Sequence, residues 1–115
     1  MRILNSGDFS RVFKKNQRSK DASFTVLAHR TRDAGPRLGM AIARKSAGNA
    51  VQRNRMKRLV RETFRLSQHD LPSADFVVLA RPGVAARSNA ELISSLRRHW
   101  QRFGTARAAH SQYRG

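Results

Sequence analysis

The chain has 115 residues, of which 24 are Lys or Arg and only 7 are Asp or Glu, giving a formal charge of +17. That length suits one domain, and charge of one sign at this density opposes folding until a polyanion neutralises it, nucleic acid before an anionic membrane surface. The absence of cysteine excludes disulfides, Cys-ligated zinc and thiol nucleophiles, and the longest apolar run, Phe76 to Ala80, is far too short to span a bilayer; with no signal-peptide pattern at its start, the chain reads as soluble and cytoplasmic.

The first predicted helix begins after Asn5, which can cap it, with Asp8 at the third helical position and Leu4 placed to staple onto Phe9. Phe9, Val12 and Phe13 share one of its faces. A strand at Phe24 to His29, a turn through Asp33, Gly35 and Pro36, and a strand at Leu38 to Ala43 together read as an antiparallel hairpin. In the second of these strands Leu38, Met40 and Ile42 alternate with Gly39, Ala41 and Ala43. One face is bulky and the other almost bare, open to close approach by a nucleotide backbone or by a packed helix.

The main helix is predicted from Asn49, with Gln52 completing a capping box, to about Ser67. Phe76 to Ala80 is apolar throughout, as a central strand buried on both faces would be, and Pro82-Gly83 ends it. The last helix opens with a Ser88/Glu91 capping box, carries Leu92, Ile93, Leu96, Trp100 and Phe103 on one face, and stops at Gly104. This divides the chain into a domain over 1–103 and a basic, flexible tail over 104–115.

Eight basic residues lie between Arg44 and Arg65, against one acid, Glu62. At 100° per residue Asn54, Lys57, Arg58, Arg61 and Arg65 gather on one side of the main helix, and Val51, Met56, Leu59, Val60, Thr63 and Phe64 are assigned to the other. A charged helix face is ordinarily a solvated one. Here Lys57, Arg61 and Arg65 are like charges at i, i+4 and i+8, each close pair unfavourable by about 0.2–0.5 kcal/mol, and phosphates are the anions that would relieve them, Arg being suited to bidentate contact.

The segment Lys45 to Glu62, KSAGNAVQRNRMKRLVRE, closely resembles the RNR signature of the bacterial ribonuclease P protein family. The similarity extends to the Asp8 to Phe13 helix, the strand Asp75 to Arg81 and the closing amphipathic helix. It implies an α+β single-domain sandwich, a central four-stranded mixed sheet packed by about three helices in the order α-β-β-β-α-β-α, with the fourth strand near Gln17 to Lys20. It also implies a left-handed βαβ crossover, against the usual right-handed rule.

By the same resemblance the chain is an RNA-binding subunit of ribonuclease P, one protein per RNA, assisting a catalytic RNA that removes the 5′ leader from precursor tRNA. Arg53, Asn54, Arg55, Lys57, Arg58, Arg61 and Arg65 would bind the catalytic RNA. Phe9, Phe13, Arg44, Lys45 and Arg81 would bind the leader, where exposed aromatics flanked by cations form a stacking surface for single strands. On spacing alone, Phe9 and Phe13 are by default core residues of an amphipathic helix, and it is the resemblance that favours the cleft. The sequence departs from the family in its short segment before the first helix, Met1 to Leu4, and in Pro82, which stands where a second basic residue is common.

The seven acids form no tight pair or triplet, and His29, His69, His99 and His110 are scattered, so neither a metal cage nor an acid–base pair of the protein's own is expected. The resemblance places the chemistry in the RNA, with Mg²⁺ held by the RNA and substrate. Charge alone would also fit a noncatalytic basic ribosomal or general RNA-binding protein.

Overall fold

A computed structural model describes residues 2–32 and 34–113, without the side chains of residues 2, 6 and 105–113. The elements in chain order are β1 (Arg2–Ile3), α1 (Ser6–Lys14), β2 (Gln17–Lys20), β3 (Phe24–Arg30), β4 (Arg37–Ala41), the single turn α2 (Arg44–Ala47), α3 (Ala50–Ser67), β5 (Ala74–Ala80) and α4 (Asn89–Tyr113), with 3-10 turns at Gln68–Asp70 and Val84–Ala86. Four strands and the two-residue β1 form one mixed sheet in the order β1-β4-β5-β3-β2. The fold class and the strand at Gln17–Lys20 agree with expectation.

The expected hairpin does not form. β3 pairs antiparallel with β5 along its whole length, Phe24 opposite Ala80 through to Arg30 opposite Ala74, and β4 pairs parallel with β5 from the other side. A strand as apolar as β5 is stable only where it is covered on both faces and paired along both edges. It therefore takes the position between β3 and β4. The turn expected between them includes Asp33, which lies outside the described residues.

On one face of the sheet α3 and α4 enclose the main core, in which Phe64, Phe76, Trp100 and Phe103 meet edge to face at centroid distances of 5.2–6.0 Å. The Trp100 indole N–H donates to the Thr63 hydroxyl at 3.1 Å, and that hydroxyl donates to the Leu59 carbonyl, so the buried polar atoms here are paired. On the opposite face α1 lays Val12 against Leu27 and Val77. Its N-terminus carries the predicted capping box, Asn5 Oδ1 accepting from the Asp8 N–H and Asp8 Oδ2 from the Asn5 N–H.

Arg37 fixes where α1 sits. Its guanidinium makes a bidentate pair with buried Asp75 at 2.7 and 2.8 Å, and its third nitrogen lies 3.5 Å from buried Asp8. One cation thus ties the first turn of α1 to the starts of β4 and β5.

α4 does not stop at Gly104 but continues to Tyr113. Gly104 is instead a point of close approach, since a Cβ there would stand 2.9 Å from the Asp70 carbonyl oxygen. The expected tail falls on side chains outside the described residues.

α4 is braced against the β2–β3 turn through His99, which is wholly buried. Its Nδ1 lies 2.7 Å from the Ser19 hydroxyl, to which Arg102 donates, and its Nε2 lies 3.2 Å from Asp21 Oδ2. Burial pulls the imidazole below its ordinary value of 6.5; Asp21 opposes this, while Arg102 and Arg98 reinforce it. Burial also opposes the Asp21 charge, but the Ser95 hydroxyl, the Phe24 and Ser23 N–H groups and His99 outweigh it and hold the carboxyl well below the usual carboxylate range.

As pH drops below 6.5 the unfolded chain takes up a proton that folded His99 refuses, so the His99 contribution is complete above that pH and is lost below it. The Tm should fall between about pH 7.5 and about pH 5.5, and H99Q should flatten that slope. Thermal melts of both chains across the interval check it; parallel slopes refute it.

Candidate nucleic-acid interface

α3 starts at Asn49, whose Oδ1 accepts from the Gln52 N–H at 2.9 Å. Only half of the expected capping box forms, because the Gln52 side chain turns away to accept from Arg55 Nε. Met56, Leu59, Val60, Thr63 and Phe64 are buried. Val51, assigned to that side, is 75% exposed. Seven residues separate it from Arg58, about 20° short of two full turns, so it belongs on the cationic face.

Asn54, Arg58, Arg61 and Arg65 are exposed and Lys57 half-buried. Among the described residues none of these four cations is engaged in an ion pair. Arg53 is half-buried. Arg55 is turned the other way: besides Gln52 it donates to the Ala85 and Arg87 carbonyls and to Asn89 Oδ1, locking α3 to the start of α4. Arg55→Ala should therefore lower the Tm, by the equivalent of roughly 1–3 kcal/mol for the carbonyls left unmet. Arg58→Ala should leave it nearly unchanged; paired thermal melts decide the point.

The second surface lies on the other side of the sheet. The strand register sets two side-chain rows facing α1: Gly39, Val77, Leu27 and Arg18, then Ala41, Leu79, Thr25 and Lys20. Phe9 and Val12 of α1 sit on the first row. The second is only partly covered, and exposed Lys20 ends it. Phe9 is half-buried, but Phe13 is 49% exposed and stands edge to face against it at 6.4 Å. Arg44 and Lys45 follow β4 and are exposed, whereas half-buried Arg81 follows β5 and donates to the Asp21 carbonyl at 3.3 Å.

The structure thus brings Phe9 and Phe13 together on one wall of a trough and places Arg44, Lys45 and Arg81 at the ends of the strands that floor it. Arg18, Lys20 and Thr25 were not singled out by sequence. Their signal was the alternation of Arg18 and Lys20 about buried Ser19, legible only once β2 is known to be an edge strand paired with β3.

Among the described residues no three His, Cys, Asp or Glu side chains gather to hold a metal ion. The buried carboxylates of Asp8 and Asp75 are both engaged by Arg37. No helix is long and apolar enough to cross a membrane.

Residues 1–104 match the family model described as Ribonuclease P. The chain belongs to the ribonuclease P protein family. The ribonuclease P protein component of Nitrosococcus oceani is 47% identical over 100 residues, 87% of this chain and 84% of the relative. That of Photorhabdus laumondii is 44% identical over 102 residues, 89% and 86% of the two chains. Among solved structures, the RNase P protein of Staphylococcus aureus superposes with a TM-score of 0.79 at 30% identity, covering 88% of this chain and 92% of that one. The Thermotoga maritima RNase P protein gives 0.70 at 31%, covering 85% and 96%. In this ribonuclease P family chain the signature segment runs from α2 into α3, and the aromatic pair lies across the sheet from α3.

Proposed function

We propose that the chain is the RNA-binding protein subunit of ribonuclease P. It docks on a catalytic RNA through the exposed face of α3 and holds the 5′ leader of precursor tRNA in the trough beside α1, one protein per RNA, in the cytoplasm. The observation that carries this is the separation of two cationic surfaces by the thickness of the sheet: on one side a row of arginines that make no ion pair among the described residues, on the other an exposed aromatic resting edge to face on a second ring that packs over small and apolar strand residues. The first suits phosphate neutralisation on structured RNA, and the second suits base stacking by a single strand.

Hydrolysis is assigned to the RNA. Mg²⁺ held by the RNA and substrate would supply the activation of water, and the protein contributes charge compensation and positioning. The test is precursor tRNA cleavage at low Mg²⁺ with protein alone, catalytic RNA alone and both together. Efficient cleavage by the combination only is the expected result. Cleavage by the protein alone would place an active site in this chain, and no gain from adding the protein would favour a general RNA-binding role.

A further inference from the structure

Among the described residues Gly39 is the one strand position where α1 touches the sheet through an absent side chain. A Cβ built there would stand 2.4 Å from Phe9 Cε1, 2.8 Å from Phe9 Cζ and 3.0 Å from Leu4 Cδ1. Its backbone does not have a positive φ, so the requirement for glycine is one of space. Leu4 precedes the helix cap and Phe9 is the fourth helical residue, so the hydrophobic staple that sets the entry angle of α1 closes directly over this gap. Arg37, two residues earlier on β4, holds the first turn of the same helix through Asp8. The N-terminal end of α1 therefore has little freedom to lift.

The colliding atoms are the far end of the Phe9 ring, and a methyl group at position 39 would displace the ring before it displaced the backbone. Phe13 rests edge to face on that ring. Displacing Phe9 outward fills the trough over the Ala41, Leu79 and Thr25 row and removes the support that presents Phe13.

We propose that Gly39 is a positioning residue for the leader site: its missing side chain seats Phe9 on the sheet, and the seated Phe9 sets the depth of the trough and the pose of Phe13. This rests on the leader reading given above.

The experiment uses the reconstituted holoenzyme with precursors carrying either a long leader or a single leader nucleotide. Wild type, G39A, F9L, the G39A/F9L double variant and F13A are compared, with Tm and RNA assembly measured beside cleavage. G39A should raise KM for the long-leader precursor at least fivefold with kcat unchanged, leave the one-nucleotide precursor and RNA assembly unaffected, and shift Tm little. Leucine lacks the ring atoms that collide, so adding G39A to F9L should cost nothing further.

Equal KM effects of G39A on both precursors, or an undiminished G39A effect in the F9L background, overturns the proposal; the latter comparison stays decisive even if G39A alone folds poorly. If F13A also fails to distinguish the two precursors, the leader reading itself is wrong. If F13A does distinguish them while G39A does not, only the role of Gly39 is.

Discussion

Reversing the charge at Arg58 and Arg61 together should raise the protein concentration needed to assemble with the catalytic RNA by about 10²- to 10⁴-fold at low salt, taking roughly 1.5–3 kcal/mol for each charge-assisted hydrogen bond to phosphate that the reversal removes. Both side chains are exposed on α3 and neither is engaged in an ion pair among the described residues, so the fold loses almost nothing with them. Saturating protein should restore most of the cleavage, and the slope of log affinity against log salt should be shallower than that of the wild type. Reversal at Lys45 and Arg81 should act differently, leaving assembly largely intact and raising KM for long leaders. An assembly titration and a leader-length series on the two double variants decide between them. Equal loss of both properties in both variants would mean that the cations form one undifferentiated field.

Phe13→Ala should weaken binding of precursor tRNA by about 5- to 150-fold, corresponding to roughly 1–3 kcal/mol for one stacked base, with mature tRNA little affected. Phe13 is 49% exposed, whereas Val12 beside it is wholly buried. The truncation should therefore lower Tm much less than the equivalent of about 3–5 kcal/mol that a core phenylalanine would cost. Equal weakening of both ligands together with a large Tm loss would return Phe13 to the core.

The local signals were the readable ones. Asn5 with Asp8 and Ser88 with Glu91 both form complete capping boxes, because a cap depends on residues three apart and on nothing more distant. Leu92, Leu96 and Trp100 are buried as their spacing demands. The errors came where a distant segment decides the outcome: two adjacent strands with a turn between them read as a hairpin, and only the later demand of β5 for a central position separates them. Gly104 looked like a stop because a glycine that ends a helix and a glycine that admits a neighbouring carbonyl are the same letter. The family resemblance placed Arg55 and Arg58 alike among the contacts to the catalytic RNA. What distinguishes them is the Ala85–Asn89 segment, folded against one and absent from the other. The division of the aromatic pair into a seated Phe9 and an open Phe13 was likewise beyond the sequence, since it depends on the bare patch at Gly39 lying under one ring.

The position of β5 also bears on the order in which the molecule can be made. It is the last strand to leave the ribosome, and β3 and β4 meet only through it. A nascent chain that ends before residue 74 can pair β2 with β3, but it holds β3 and β4 with the strand between them missing, and the free edge of β3 is open to a direct β3–β4 contact that the finished protein never uses. Closing so distant a contact is slow compared with forming helices. α3, the most cationic element, is thus synthesised before the central strand it must lie against exists, and the chain commits to its fold only after about two-thirds of it has been translated.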